Sequence, residues 1–140
     1  MPSTSNNIYY FAHKAEIHVA KRPPVILIHG AGGFHLSWPP QIRRLAGQYV
    51  YAIDLPGHGK SEGVGRQSVD EYVEDVHGFI NSLKIRTVVL MGISMGSAIS
   101  LALAVKYPKK VCGLALFGSG LKLRVAPSLL ESLDNPRSYE

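Results

Sequence analysis

Residues 91–100 read MGISMGSAIS, and their serine stands in the spacing Gly92-Ile93-Ser94-Met95-Gly96, after the apolar run TVVLM and before a stretch of helical character. A serine on a sharp turn between strand and helix presents its hydroxyl outward, and small residues two before and two after it keep neighbouring groups from colliding. The same turn sets the amide of Met95 at a helix N-terminus, where unpaired N–H groups and the helix dipole favour an oxyanion. Such a serine could attack a carbonyl. On the pentapeptide alone it reads equally well as a helix N-cap, a position serine favours. The stretch HGAGGF, residues 29–34, weighs toward the nucleophile. A tetrahedral oxyanion needs two convergent donors, and a glycine-lined turn at the end of a neighbouring strand can offer the second from the Ala31 amide. Glycine at positions 30, 32 and 33 lets backbone approach a substrate closely.

Two other glycine-rich readings fail on spacing. DLPGHGKS, residues 54–61, ends like a phosphate-binding loop, but that motif needs glycine five residues before Gly59, where Asp54 stands, and EGVGRQ is a poor helix start behind it. In GAGGFH the third glycine of a dinucleotide fingerprint falls on His35. The one cysteine, Cys112, leaves no disulfide or multi-cysteine metal site; within VCGLALF it is expected to be a small buried hydrophobe.

The elements that must position these residues are legible in the hydropathy. PPVILIHG (23–30), YVYAIDLPG (49–57), RTVVLMGIS (86–94) and VCGLALFGSG (111–120) are short apolar runs ending in glycine or a turn. Continuous rather than alternating runs mark parallel strands covered on both faces. Between them LSWPPQIRRLAG, SVDEYVEDVHGFINSL and MGSAISLALAVKYP have helical character. The second puts Val69, Tyr72, Val73, Val76, Phe79, Ile80 and Leu83 on one face, with Ser68 as N-cap and Asp70 and Glu71 in the first turn. The third is apolar nearly all round and should stop at Tyr107-Pro108. NIYYFAHK and AEIHVA are expected to pair as an antiparallel hairpin at the start of the sheet. This alternation implies an α/β fold, a mostly parallel sheet with flanking helices and right-handed crossovers. Ligands bind such sheets beyond the carboxyl ends of the strands, where all three glycine-rich stretches fall.

At 46% hydrophobic and 18% charged, 140 residues suffice for one core and are short for two. The net charge of +5 comes from scattered basic residues without a stripe, so neither nucleic acid nor a membrane is an expected partner. The opening MPSTSNNIYYFAHKAE has no leader pattern, and no apolar run reaches membrane length, so a cytoplasmic location is expected.

Together HGAGG…W, DLPGHGKS and GISMGSAISLALAVKYPKKVCGLALFGSG resemble the α/β-hydrolase superfamily, in the order and spacing of its amino-terminal half, over about residues 8 to 125. The resemblance implies an esterase-like serine hydrolase without metal or organic cofactor. By it, Ser94 is the nucleophile, the Ala31 and Met95 amides form the oxyanion hole, Gly30, Gly92 and Gly96 are motif glycines, and Asp54 to Ser61 make a structural turn. Serine at position 94 argues against the dehalogenases and epoxide hydrolases of the superfamily, which use aspartate there. Ser97 departs from the many relatives with a second glycine at that position.

The resemblance also implies a triad in chain order Ser, acid, His, yet no histidine follows Ser94. His29 and His35 are the nearest upstream candidates, but His29 matches a structural position of the family and His35 reads as a loop residue. His13, His18, His58 and His77 lie farther off, Asp134 falls in a presumptive cap, and Ser119 in a strand-end turn. The expectation is therefore a partial fold truncated after the sixth strand. Residues 1–120 form the amino-terminal part of one domain, and 121–140 begin a cap or lid. Isolated, the chain should be nearly inactive toward its small ester-like substrate. The alternative is a non-enzymatic half-domain that pairs through its exposed edge strand, VCGLALF.

Overall fold

The computed structural model describes residues 2–14 and 22–118. Six strands form one sheet: β1 (Pro2–Ser5), β2 (Ile8–His13), β3 (Val25–Ile28), β4 (Val50–Ile53), β5 (Val88–Ile93) and β6 (Val111–Phe117), in spatial order β1-β2-β4-β3-β5-β6. β3, β4, β5 and β6 run parallel, while β2 is antiparallel to both β4 and β1. The helices are α1 (Pro40–Arg43), α2 (Val69–Ser82) and α3 (Met95–Lys106), and a 3₁₀ turn covers His35–Ser37.

The continuous apolar runs are explained by two cores. Side chains alternate along a strand, so Ile26, Ile28, Ile53, Val88 and Leu90 pack under α2 and α3 against Val76, Phe79, Ile80, Ile99 and Leu103. Their neighbours Val25, Leu27, Val50 and Ala52 meet Trp38 on the other face. α2 starts as its sequence requires, with the Glu71 amide donating to Ser68 Oγ at 3.1 Å. At the end of α3 the Tyr107 amide donates to Leu103 O at 2.8 Å, and Pro108 follows.

Three expectations need correction. β2, formed from NIYYFAHK, pairs not with AEIHVA but with β1 upstream, from Pro2↔Phe11 to Ser5↔Ile8; residues 15–20 lie outside the described residues. The reason is the Asn6-Asn7 turn, whose φ values of 53° and 65° place both asparagines in the left-handed region that a two-residue hairpin demands. LSWPPQIRRLAG gives only the 3₁₀ turn and the short α1. Cys112 is exposed rather than buried, because β6 is an edge of the described sheet; its thiol donates to Val88 O at 3.4 Å. No helix among the described residues is long and apolar enough to cross a membrane. Residues 119–140, with the expected cap, Ser119 and Asp134, lie outside the described residues.

Candidate active site

The loops after β3, β4 and β5 lie at the carboxyl edge of the sheet, with Ser94 between β5 and α3. Ser94 takes φ 54° and ψ −120°, a conformation that costs a non-glycine residue about 1–3 kcal/mol. Its neighbours are small because backbone occupies the space their side chains would need. A Cβ on Gly92 would overlap the Gly96 carbonyl and stand 2.6 Å from Ser97 N, and one on Gly96 would overlap Ile28 O and stand 2.6 Å from His29 O. The turn between β5 and α3, the start of α3 and the end of β3 are thus in direct backbone contact.

The capping reading of Ser94 fails on its side chain. Oγ makes no capping hydrogen bond, and the residue is exposed. Within the first turn Ser97, a buried side chain, donates from Oγ to Ser94 O at 2.5 Å. Ser97, which departs from the family's glycine, therefore ties the turn that holds the serine. On the other flank the Ser94 amide donates to Phe117 O of β6 at 3.2 Å. Relief of the strain gives a direct check: Ser94→Gly is expected to raise stability by about 1 kcal/mol, read as a higher urea midpoint, while removing the hydroxyl. A lowered midpoint would mean that the turn stores no strain.

The glycine loop is brought to the serine. A Cβ on Gly30 would lie 3.1 Å from Ser94 Cβ and 3.7 Å from Oγ, so these residues touch across the top of β3 and β5. Among the described residues, the amides of Ala31, on that loop, and Met95, at the first position of α3, donate to no protein acceptor.

The upstream histidines are engaged elsewhere. His29 is fully buried, with Nδ1–H donating to Gly30 O at 2.7 Å and Nε2 accepting from the Leu55 amide at 3.0 Å. His35, expected as a loop residue, is instead buried: its amide donates to Asp54 Oδ1 at 2.6 Å and its Nδ1 to the same oxygen at 3.0 Å. His58 donates from Nδ1 to Pro56 O at 3.1 Å, and His77 stacks on Tyr107 with ring centroids 3.6 Å apart. Asp54 also accepts from the Lys60 amide at 2.8 Å, and Ser61 Oγ donates to Asp54 O, so residues 54–61 are a structural turn. Sequence reading missed the joint role of His29, His35 and Asp54, although each flanks a glycine-rich loop. Among the described residues no group of three His, Cys, Asp or Glu side chains could hold a metal ion.

Comparisons with known proteins identify the family of the fold. The family described as alpha/beta hydrolase fold matches residues 23–138. The dihydrolipoyllysine-residue acetyltransferase component of an acetoin cleaving system from Pseudomonas putida is 40% identical over 98 residues, covering 69% of this chain and 26% of that protein. The 2-hydroxy-6-oxo-2,4-heptadienoate hydrolase of Pseudomonas putida is 32% identical over 126 residues, covering 84% of this chain and 44% of that enzyme. Among solved structures, a marine microorganism esterase superposes with a TM-score of 0.70 at 25% identity, covering 91% of this chain and 52% of that one. The chain spans from 26% to 52% of the length of these three proteins. It belongs to the α/β-hydrolase fold family.

Proposed function

We propose that this chain carries the nucleophile of a serine hydrolase acting on small carboxylic esters. The observation that supports it most is Ser94 held at φ 54° with its Oγ exposed and uncommitted beside Gly30. Ser94 Oγ attacks the carbonyl carbon, and the carbonyl electron pair moves onto oxygen, where the Ala31 and Met95 amides receive it. The hydroxyl proton passes to a base; collapse of the adduct expels the alkoxide, which takes that proton and leaves an acyl-enzyme for water to cleave.

Of the described histidines, His29, His35 and His58 are committed to other partners and His13 pairs with Val50 at the amino end of β4, away from Ser94, so we assign the base and its orienting acid to polypeptide that completes the sheet. β6 is the place for it. Leu114, Leu116 and Phe117 are exposed along this edge, and Val105 on α3 beside it is 75% exposed. On the opposite face Trp38 is buried with Nε1 unpartnered, 6.0 Å from Phe117 ring to ring. Hydrolysis of p-nitrophenyl butyrate by the protein with its sheet completed tests the proposal. Ser94→Ala should lower kcat by a factor on the order of 10⁴–10⁶. Undiminished turnover in that variant, or an acyl adduct on another residue, would sink it.

The same uncovered edge favours a second reading, a non-enzymatic half-domain that pairs through β6. A discrete dimer with β6 amides protected from exchange, and with Ser94 inert in every assembly, would decide for it.

A further inference from the structure

We infer that His29 and His35 are positioning residues which bracket the loop carrying the Ala31 amide, and that the bracket requires His29 neutral with its proton on Nδ1. Its functional meaning rests on the serine-hydrolase reading; the contacts that make it do not.

The key is that Gly30 C=O and Ala31 N–H belong to one peptide unit. That unit is planar and trans, so its carbonyl and its N–H point in opposite directions. Fixing the Gly30 oxygen therefore aims the Ala31 hydrogen. Two donors fix it: His29 Nδ1–H at 2.7 Å and the Gly33 amide at 3.0 Å. Glycine at 33 lets this turn close tightly, since a Cβ there would press on Ser37 Oγ at 2.9 Å and Gly30 O at 3.1 Å.

The imidazole in turn is held by β4's following turn. Leu55 N–H, which can only donate, lies 3.0 Å from Nε2, and the Gly30 carbonyl can only accept. Two backbone groups thus dictate the tautomer. At the other end of the loop His35 grips Asp54, through its amide at 2.6 Å and its ring at 3.0 Å, and the Phe34 amide donates to Ser37 Oγ at 3.1 Å. Residues 54 and 55 consequently anchor both ends of the loop that faces Ser94 across Gly30.

Protonating His29 would set an N–H against the Leu55 N–H and release the first anchor. Burial, the largest cause, pushes its pKa below the ordinary 6.5; the Gly30 carbonyl opposes this, nearby His58 and His35 add to it, and Asp54 opposes it. The His58 ring lies beside His29, with ring centroids 4.9 Å apart. The unfolded chain therefore binds the proton first as pH falls. The stability that His29 contributes is intact above 6.5 and declines as pH drops toward its lowered folded value.

The test is NMR on the ¹⁵N-labelled chain, which needs no turnover. At neutral pH His29 should show Nδ1 protonated and Nε2 bare, and on acidification the Ala31 and Leu55 amide signals should move together with the His29 ring. His29→Asn, whose amide can still donate from the Nδ1 position, should keep the Ala31 signal near its place. His29→Gln, which reaches only the Nε2 position, should shift it and raise its exchange rate about tenfold. In the sheet-completed esterase His29→Gln should cut kcat about ten- to a hundredfold with KM little changed, since one oxyanion donor is misaimed rather than removed. An Nε2–H tautomer, or an Ala31 amide indifferent to both titration and substitution, overturns the inference. If either variant fails to fold, the wild-type tautomer and titration decide it. An Ala31 amide that follows His29 in a protein without Ser94-dependent esterase activity would leave the bracket standing and remove the hydrolase reading alone.

Discussion

Fluorophosphonate labelling of Ser94 in this chain alone is expected to run on the order of a millionfold slower than in a complete serine triad. The reagent reacts by the same attack that an ester would suffer, so it senses how readily Oγ gives up its proton. The described histidines nearest that proton are all committed elsewhere. His29 has both ring nitrogens bonded to backbone, His35 is committed to Asp54 and His58 to Pro56 O. The backbone turn and the two amides remain, so labelling should not vanish. Donors and positioning alone are worth about 10³–10⁴ over unassisted reaction in comparable sites. Intact-mass kinetics with Ser94→Ala as the blank measure this. Triad-like rates in the isolated chain would mean that a base within it reaches Oγ, and the proposal of a base supplied along β6 would fall.

Gly96→Ala is expected to cost at least about 3–5 kcal/mol, a large share of the roughly 5–15 kcal/mol that holds a domain together. The added methyl would overlap Ile28 O and press on His29 O at 2.6 Å. The Ile28 oxygen has little room to retreat, since β3 is hydrogen-bonded to β4 on one side and β5 on the other. Gly63→Ala makes a fair control. Unlike Gly96 it has positive φ, 86°, but nothing lies within 4 Å of its Cβ, so only backbone strain of about 1 kcal/mol is at stake. Urea titrations of the two variants give the comparison. Equal losses would show that α3 does not press on β3.

Local pattern made much of this legible. The four apolar runs became β3, β4, β5 and β6, and Ser68 caps α2 as its spacing predicted. The hairpin was misread because hydropathy favoured AEIHVA over the polar Pro2–Ser5, whereas backbone geometry at Asn6 and Asn7 chose the partner. Cys112 was misread because an apolar strand looks the same at an edge as in a sheet's middle.

By itself the sequence determined that a serine stands on the strained strand-to-helix turn, because Gly92, Ser94 and Gly96 answer to a turn formed by neighbours a few residues apart. Only the tertiary structure decided what the histidines do. His35 meets Asp54 across 19 residues and His29 meets Leu55 across 26. A ring nitrogen's partner at such distance is chosen by which loops the parallel strands bring together, and no periodicity along the chain records that choice.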